Sequence, residues 1–186
     1  FALSRKVPEY VGRAKAVRTL EKARQEGENC EELNNMYDSV KNALGLQESA
    51  DQMKKNTSVG SVVYANKPGD GSAREQAASC QKVLGGFANI CYEYATKRYR
   101  SNCINWGILP FTIDDGTEFN YEPGDCVFVP GIRAAVENDT ENIPAKVIRQ
   151  NGDVCDIMLH LRGLTPDEKE IILDGCLMNY YAARAE

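Results

Sequence analysis

Apolar residues recur every three or four positions over the first quarter of the chain. In VPEYVGRAKAVRTLEKARQ they fall at Val11, Ala14, Val17 and Leu20, and in CEELNNMYDSVKNALG at Leu33, Met36, Tyr37, Val40 and Leu44. That spacing lines one face of a helix, and Gly45 is placed to stop the second run. Residues 1–55 therefore read as a polar, charge-mixed helical segment, either packed on the main unit or inserted as a linker. From Val59 the pattern changes. SVGSVVYA is β-branched and strand-like, SAREQAASCQKVLGG reads as a helix ended by Gly85 and Gly86, and FANICYEY reads as a buried strand. ATKRYRSNCINWG gives a short helix and ILPFTI another strand. Strand–helix–strand–helix–strand argues for an α/β layer.

The β-rich pieces DCVFVPG, AKVIRQ and DVCDIMLHL come next, and RQNGDV sets an Asn-Gly pair between two alternating runs, the signature of a hairpin. The chain closes with LTPDEKEIILDGCLMNYYAARA, where Thr165 is an N-cap candidate, Pro166 takes the first helical position and Glu168 completes a capping box. The expected division is 1–55, a helical lead-in or insert, and 56–186, the main unit. No internal repeat or low-complexity tract is present.

Composition narrows the class without naming it. The 186 residues are 42% hydrophobic and 26% charged, with a formal net charge of -5 and a pI near 5.1. No apolar run reaches the roughly 18 to 20 residues of a membrane helix, and the acidity speaks against a nucleic-acid partner. Seven cysteines, with no C-x-x-C pair, suit neither a disulfide framework nor a metal-cluster site. They read as reduced, half-buried residues of a cytoplasmic protein. No signal-peptide pattern opens the sequence, and a start at Phe1 reads as a fragment or a processed product.

The stretch PGDGSAREQAAS, residues 68–79, carries the candidate chemistry. A P-loop would need G-x-x-x-x-G-K-S/T, and no lysine follows these glycines. A dinucleotide fingerprint fails at Arg74, which stands where a third glycine belongs. A G-x-S-x-G elbow fails because Asp70 and Arg74 flank Ser72. A Ser-His-Asp triad would have to recruit His160, the only histidine, from a strand far along the chain. Two readings remain. In one, Asp70 or Ser72 simply caps a helix and the glycines allow the turn. In the other, backbone N–H groups at Gly69 and Gly71 form an anion site at a helix N-terminus, with Arg74 as a planar fork for a carboxylate. An Arg in the first turn runs against the helix dipole, which favours a functional reason for it.

These residues resemble a known family. GDGSAREQAAS is similar to the G-x-G-S-S-R-E-H/Q-A motif of the aconitase superfamily, and YRSNCINWGILPFTI resembles that family's R-S-N-x-x-N-x-G-I/L-L-P segment, in the same order and at about the same spacing. The tail LTPDEKEIILDGCLMNYY is also similar to that of some aconitase-like hydratases, so the resemblance covers about residues 59–181. It implies the C-terminal swivel domain of an aconitate hydratase-like enzyme: a compact three-layer α/β unit of β/β/α type, here with a helical lead-in, closing over a 4Fe-4S cluster held by larger N-terminal domains. The implied reaction is reversible dehydration of a hydroxy-polycarboxylate of the citrate, aconitate or isocitrate type. The motif's first serine, the base, falls on Ser72, and its carboxylate-binding arginine on Arg74, with Gly71 and Ala73 beside the substrate. Two departures stand out. Ala73 replaces the second serine and removes one hydroxyl donor, and Gln76 replaces the usual histidine.

A serine hydroxyl is a poor base unless its alkoxide is stabilised, and a helix start with a nearby positive charge does that. The Lewis acid that activates the leaving hydroxyl must lie elsewhere; the metal ligands are expected outside this chain, together with at least one more carboxylate-binding arginine. The alternatives are a stand-alone small subunit of an isopropylmalate- or homoaconitate-type dehydratase and, of another class, a non-catalytic RNA-binding or interaction module. KRYRSN, residues 97–102, is the one basic cluster, a solvated helix face or a source of Arg100 or Asn102 near the cleft.

Overall fold

The computed structural model describes residues 2–185. Helices α1 (Ala2–Lys6), α2 (Tyr10–Glu26), α3 (Glu31–Leu44) and α4 (Ala50–Asn56) come first. The alternating stretch continues as β1 (Ser61–Tyr64), α5 (Arg74–Val83), β2 (Gly86–Cys91), α6 (Lys97–Asn105) and β3 (Leu109–Thr112). Then come β4 (Cys126–Phe128), α7 (Ile132–Glu137), β5 (Asn142–Ile148), β6 (Val154–His160), α8 (Pro166–Asp174) and α9 (Leu177–Ala182). The helix expected to end at Gly85 and Gly86 ends at Val83, and Gly86 already opens β2.

The six strands form one mixed sheet in the order β1-β2-β3-β6-β5-β4. The first three are parallel because each is joined to the next by a helix, the connection parallel strands require. The last three are antiparallel. The hairpin expected at the Asn-Gly pair is β5–β6, in continuous register from Asn142–His160 to Ile148–Val154. Its loop closes where the Arg149 N–H donates to the Asp153 carbonyl at 2.8 Å.

The two halves of the sheet meet at a single pair, Thr112 with His160. There the buried imidazole places Nε2 3.0 Å from Asp114 Oδ2 and Nδ1 2.8 Å from Asn142 Oδ1. The close approach of His160, backed by Arg162, holds the Asp114 carboxyl below the usual carboxylate range. The Nδ1 contact lies within the β5–β6 hairpin, and the Nε2–Asp114 approach brings the loop after β3 against it; no serine triad is built on His160 among the described residues.

Alternation along the hairpin sorts its side chains. Ile143, Ala145 and Val147 of β5 and Ile157 and Leu159 of β6 are buried, while Pro144, Asp156 and Met158 face solvent. The inward set packs with Ile90, Phe111, Ile113, Val136 and Leu161 into the main core, where each large apolar side chain contributes about 1.5–3 kcal/mol.

The N-terminal helices pack on the far end of the antiparallel half. Leu20, Leu33, Tyr37, Val40 and Met53 share a second core with Ile148, flanked by Cys126 and Phe128. Leu20, Leu33, Tyr37 and Val40 are four of the positions the helical spacing picks out. Polar contacts fix the exit of this segment toward β1. Glu21 Oε2 accepts from the Val59 N–H at 2.8 Å, Arg24 donates twice to Glu21, and the Tyr37 hydroxyl donates to the Thr57 carbonyl at 2.5 Å. Burial alone would raise the Glu21 carboxyl; the bonds from Arg24 and Val59 outweigh it and hold the group below its ordinary value.

Helix α8 starts as its sequence dictates. The Thr165 hydroxyl accepts from the Glu168 N–H and the Glu168 carboxylate accepts from the Thr165 N–H, with Pro166 at the first position. The tail then breaks at Gly175 and Cys176 into the separate α9. Gly107, just past α6, has φ +66°, and a Cβ there would lie 1.8 Å from the Gly175 carbonyl oxygen. The end of α6 and the α8–α9 turn therefore touch backbone to backbone, which fixes α6 from its far end. Among the described residues no helix is long and apolar enough to cross a membrane.

Candidate active site

The stretch 65–73 leaves β1 at the carboxyl end of the parallel strands, the place where open α/β sheets bind ligands. The next connection, between β2 and α6, clamps it. The Asn66 carbonyl accepts from the N–H groups of Tyr92 and Glu93, and the Pro68 carbonyl from that of Ala95 at 2.9 Å. The Gly69 carbonyl accepts from the Thr96 hydroxyl at 3.0 Å and from Arg74 Nε at 3.1 Å. Gly69 itself has φ +101°, and a Cβ there would come within 2.5 Å of the Tyr99 ring. Only glycine meets both demands.

Helix α5 begins later than a cap at Asp70 or Ser72 would have it. Its N-cap is Ala73, with φ -91° and ψ 60°, and no side chain accepts from its first-turn N–H groups. A capping side chain works from an extended residue, as Thr165 does at φ -73° and ψ 160°. Here the pull of Thr96 and Arg74 on Gly69 sets the path of the loop instead. Among the described residues no backbone acceptor takes the N–H groups of Gly71, Ser72, Ala73 or Arg74. Gly71, Ser72 and Ala73 are exposed, and the Ser72 hydroxyl makes no hydrogen bond to the described residues.

Arg74 is the first helical residue. Its Nε is spent on Gly69, which orients the guanidinium and leaves the Nη1 and Nη2 donors without a partner among the described residues. Glu75, the acidic residue of the first turn, accepts from Trp106 Nε1 at 2.6 Å, a tie from α5 to the end of α6. The four residues Gly71, Ser72, Ala73 and Arg74 thus form one continuous edge. It offers unsatisfied N–H groups, one hydroxyl and a half-buried cationic fork. Such an edge suits an anion with planar carboxylates.

A buried polar network makes the floor rigid. Gln81 Nε2 donates to Asn89 Oδ1 at 2.7 Å, and Asn89 Nδ2 donates to the Tyr99 hydroxyl and to Cys103 Sγ, each at 3.4 Å. Both amides are buried, so these bonds lock α5, β2 and α6 together.

Arg100, a cleft candidate on sequence grounds, is committed elsewhere. Its Nη2 donates to the Arg162 carbonyl at 2.8 Å and its Nη1 lies 3.6 Å from Glu168. In the same basic cluster Lys97 and Arg98 are exposed and Tyr99 is buried. Thr96 is the residue that sequence reasoning misses. A threonine three residues before Tyr99 at a helix start is the available signal, and the Tyr99 N–H does donate to its hydroxyl at 3.2 Å.

Sequence comparison places the chain in a family. A family profile described as the aconitase C-terminal domain matches residues 12–116, more than half of the chain. The chain belongs to this family, and the α/β swivel-type fold read from the sequence stands. It is 28% identical over 123 residues to the aconitate hydratase A of Bradyrhizobium diazoefficiens, covering 64% of this chain and 13% of that protein. It is 27% identical over 156 residues to a putative mitochondrial aconitate hydratase of Aspergillus fumigatus, covering 83% of this chain and 19% of the relative. A third relative, the 3-isopropylmalate dehydratase small subunit of Metallosphaera sedula, is 34% identical over 127 residues, 68% of each chain. The chain thus spans under a fifth of the two hydratases and about two thirds of the small subunit.

Among the described residues no three His, Cys, Asp or Glu side chains converge as a metal site. Burial pushes the Cys91 thiol up to about 12 and the Cys103 thiol up to about 11, and raises Cys126 as well. Cluster ligation uses thiolates, and burial disfavours the thiolate at these three cysteines.

Proposed function

We propose that the chain is the C-terminal catalytic portion of a hydro-lyase that reversibly dehydrates a hydroxy-polycarboxylate of the citrate, aconitate or isocitrate type. The proposed division is a helical lead-in over 1–55 and a swivel unit over 56–186. The observation that carries this reading is the open α5 N-terminus, with the free Ser72 hydroxyl and the two unused Arg74 donors on one edge. Arg74 grips a substrate carboxylate bidentately. Gly71 and Ala73 bring backbone N–H groups up to the same anion. Ser72 Oγ, as the alkoxide, takes the proton from the carbon next to that carboxylate and becomes the neutral hydroxyl. The helix dipole and Arg74 together lower the cost of negative charge on the serine oxygen, the dipole by about 0.3–1 kcal/mol.

Breaking the carbon–oxygen bond on the neighbouring carbon requires an electrophile that no residue of this edge supplies. A 4Fe-4S cluster on partner domains outside this chain is its proposed source. With Ser72 exposed, those domains also have to cover the edge and exclude water. The proposed setting is the cytoplasm.

A second reading has one observation in its favour, the likeness to an isopropylmalate dehydratase small subunit over 68% of both chains. In that case the cluster-bearing partner is a separate subunit and the substrate an isopropylmalate-type acid. A turnover screen of the assembled enzyme against citrate, isocitrate, homocitrate and isopropylmalate decides between them. Activity on citrate and isocitrate supports the first reading, activity on isopropylmalate alone the second, and turnover of none of the four contradicts both.

A further inference from the structure

We infer that Thr96 is a positioning residue for the carboxylate clamp; the inference rests on the function proposed above. Its hydroxyl does two jobs at once. The oxygen accepts the Tyr99 N–H at 3.2 Å and so caps α6, while the hydroxyl hydrogen is donated to the Gly69 carbonyl at 3.0 Å. The same carbonyl accepts from Arg74 Nε at 3.1 Å. The Gly69 oxygen is therefore a shared anchor, fixed by Thr96 on one side and fixing Arg74 on the other. The Arg74 fork is aimed by that one Nε bond, since its Nη groups have no partner among the described residues.

The anchor has little freedom to move. Gly69 lies against the Tyr99 ring, and α6, whose start carries both Thr96 and Tyr99, is held at its far end by the close contact of Gly107 with Gly175. A threonine or serine at position 96 can cap and donate together. A valine of the same shape can do neither. Thr96 itself never touches the anion. It acts through Gly69 and Arg74.

The test is a kinetic double-mutant cycle on the assembled enzyme with its preferred acid from the screen above. Thr96→Val is expected to raise KM about fivefold, the weight of one hydrogen bond, with kcat changed less than twofold, because the clamp holds ground state and transition state alike. Thr96→Ser is expected to keep KM within twofold of the parent. In an Arg74→Ala background, Thr96→Val is expected to add nothing. Should Thr96→Val not fold, Thr96→Asp serves in its place, since an aspartate caps a helix at least as well but cannot donate to a carbonyl. It is expected to raise KM in the parent and to leave it unchanged in the Arg74→Ala background. An unchanged KM in Thr96→Val or in Thr96→Asp, or an effect that persists without Arg74, overturns the inference. If Arg74→Ala itself leaves KM unchanged, the proposed clamp fails, and the inference with it.

Discussion

Two helices of this chain begin in opposite ways. At α8 every device for closing an N-terminus is in place: Thr165 as cap, Pro166 at the first position, and Asp167 and Glu168 in the first turn. At α5 there is no side-chain cap, and an arginine takes the first position, against the dipole. The chain can write a closed helix start, and does so again at α4 with Ser49 and Gln52. Leaving α5 open forgoes about 1 kcal/mol of capping. The N–H groups, the hydroxyl and the guanidinium kept free there are what an anionic substrate would satisfy. Helices α2, α3, α7 and α9 also start without a side-chain cap bond; what sets α5 apart is the free hydroxyl and guanidinium beside its open N–H groups.

Closing the open terminus gives the largest expected effect. Ala73→Asp places a carboxylate where the substrate's would lie, and its repulsion is expected to raise KM of the assembled enzyme at least about tenfold. The same change favours the helix dipole and is expected to stabilise the protein by about 0.3–1 kcal/mol. Parallel kinetics and thermal unfolding read both, and a variant that loses stability without losing affinity removes the contrast. Opening the closed terminus gives a smaller effect of the other kind. Thr165→Ala is expected to cost about 1 kcal/mol of stability, read as a lower denaturation midpoint, with KM and kcat within twofold of the parent. A loss of activity there would show that α8 too belongs to the site.

Much of this contrast is legible in the sequence. The Thr165–Pro166–Glu168 pattern is local chemistry, and the structure realises it bond for bond. The alternation of strands and helices, and the hairpin at Asn151–Gly152, are legible for the same reason. The start of α5 is not. Asp70 and Ser72 are good capping residues, but the turn before α5 is shaped by Thr96 and Tyr99, more than twenty residues away, and no local rule sees them. Arg100 is misplaced for a like reason, since its partners Arg162 and Glu168 come from the far end of the chain. The short α7 and the break before α9 escape notice because each carries barely two turns of pattern. As for the site, the sequence marks the residues Gly71, Ser72, Ala73 and Arg74. It does not show that Nε of Arg74 is already used and that its outer donors are free.

The central claim is that the exposed hydroxyl on the open terminus is the base. Ser72→Ala, assayed in the assembled enzyme at saturating substrate, is expected to lower kcat by about 10²–10⁴-fold while KM moves by no more than a few-fold, since Arg74 and the helix N–H groups still hold the acid. A kcat within a few-fold of the parent would contradict that claim.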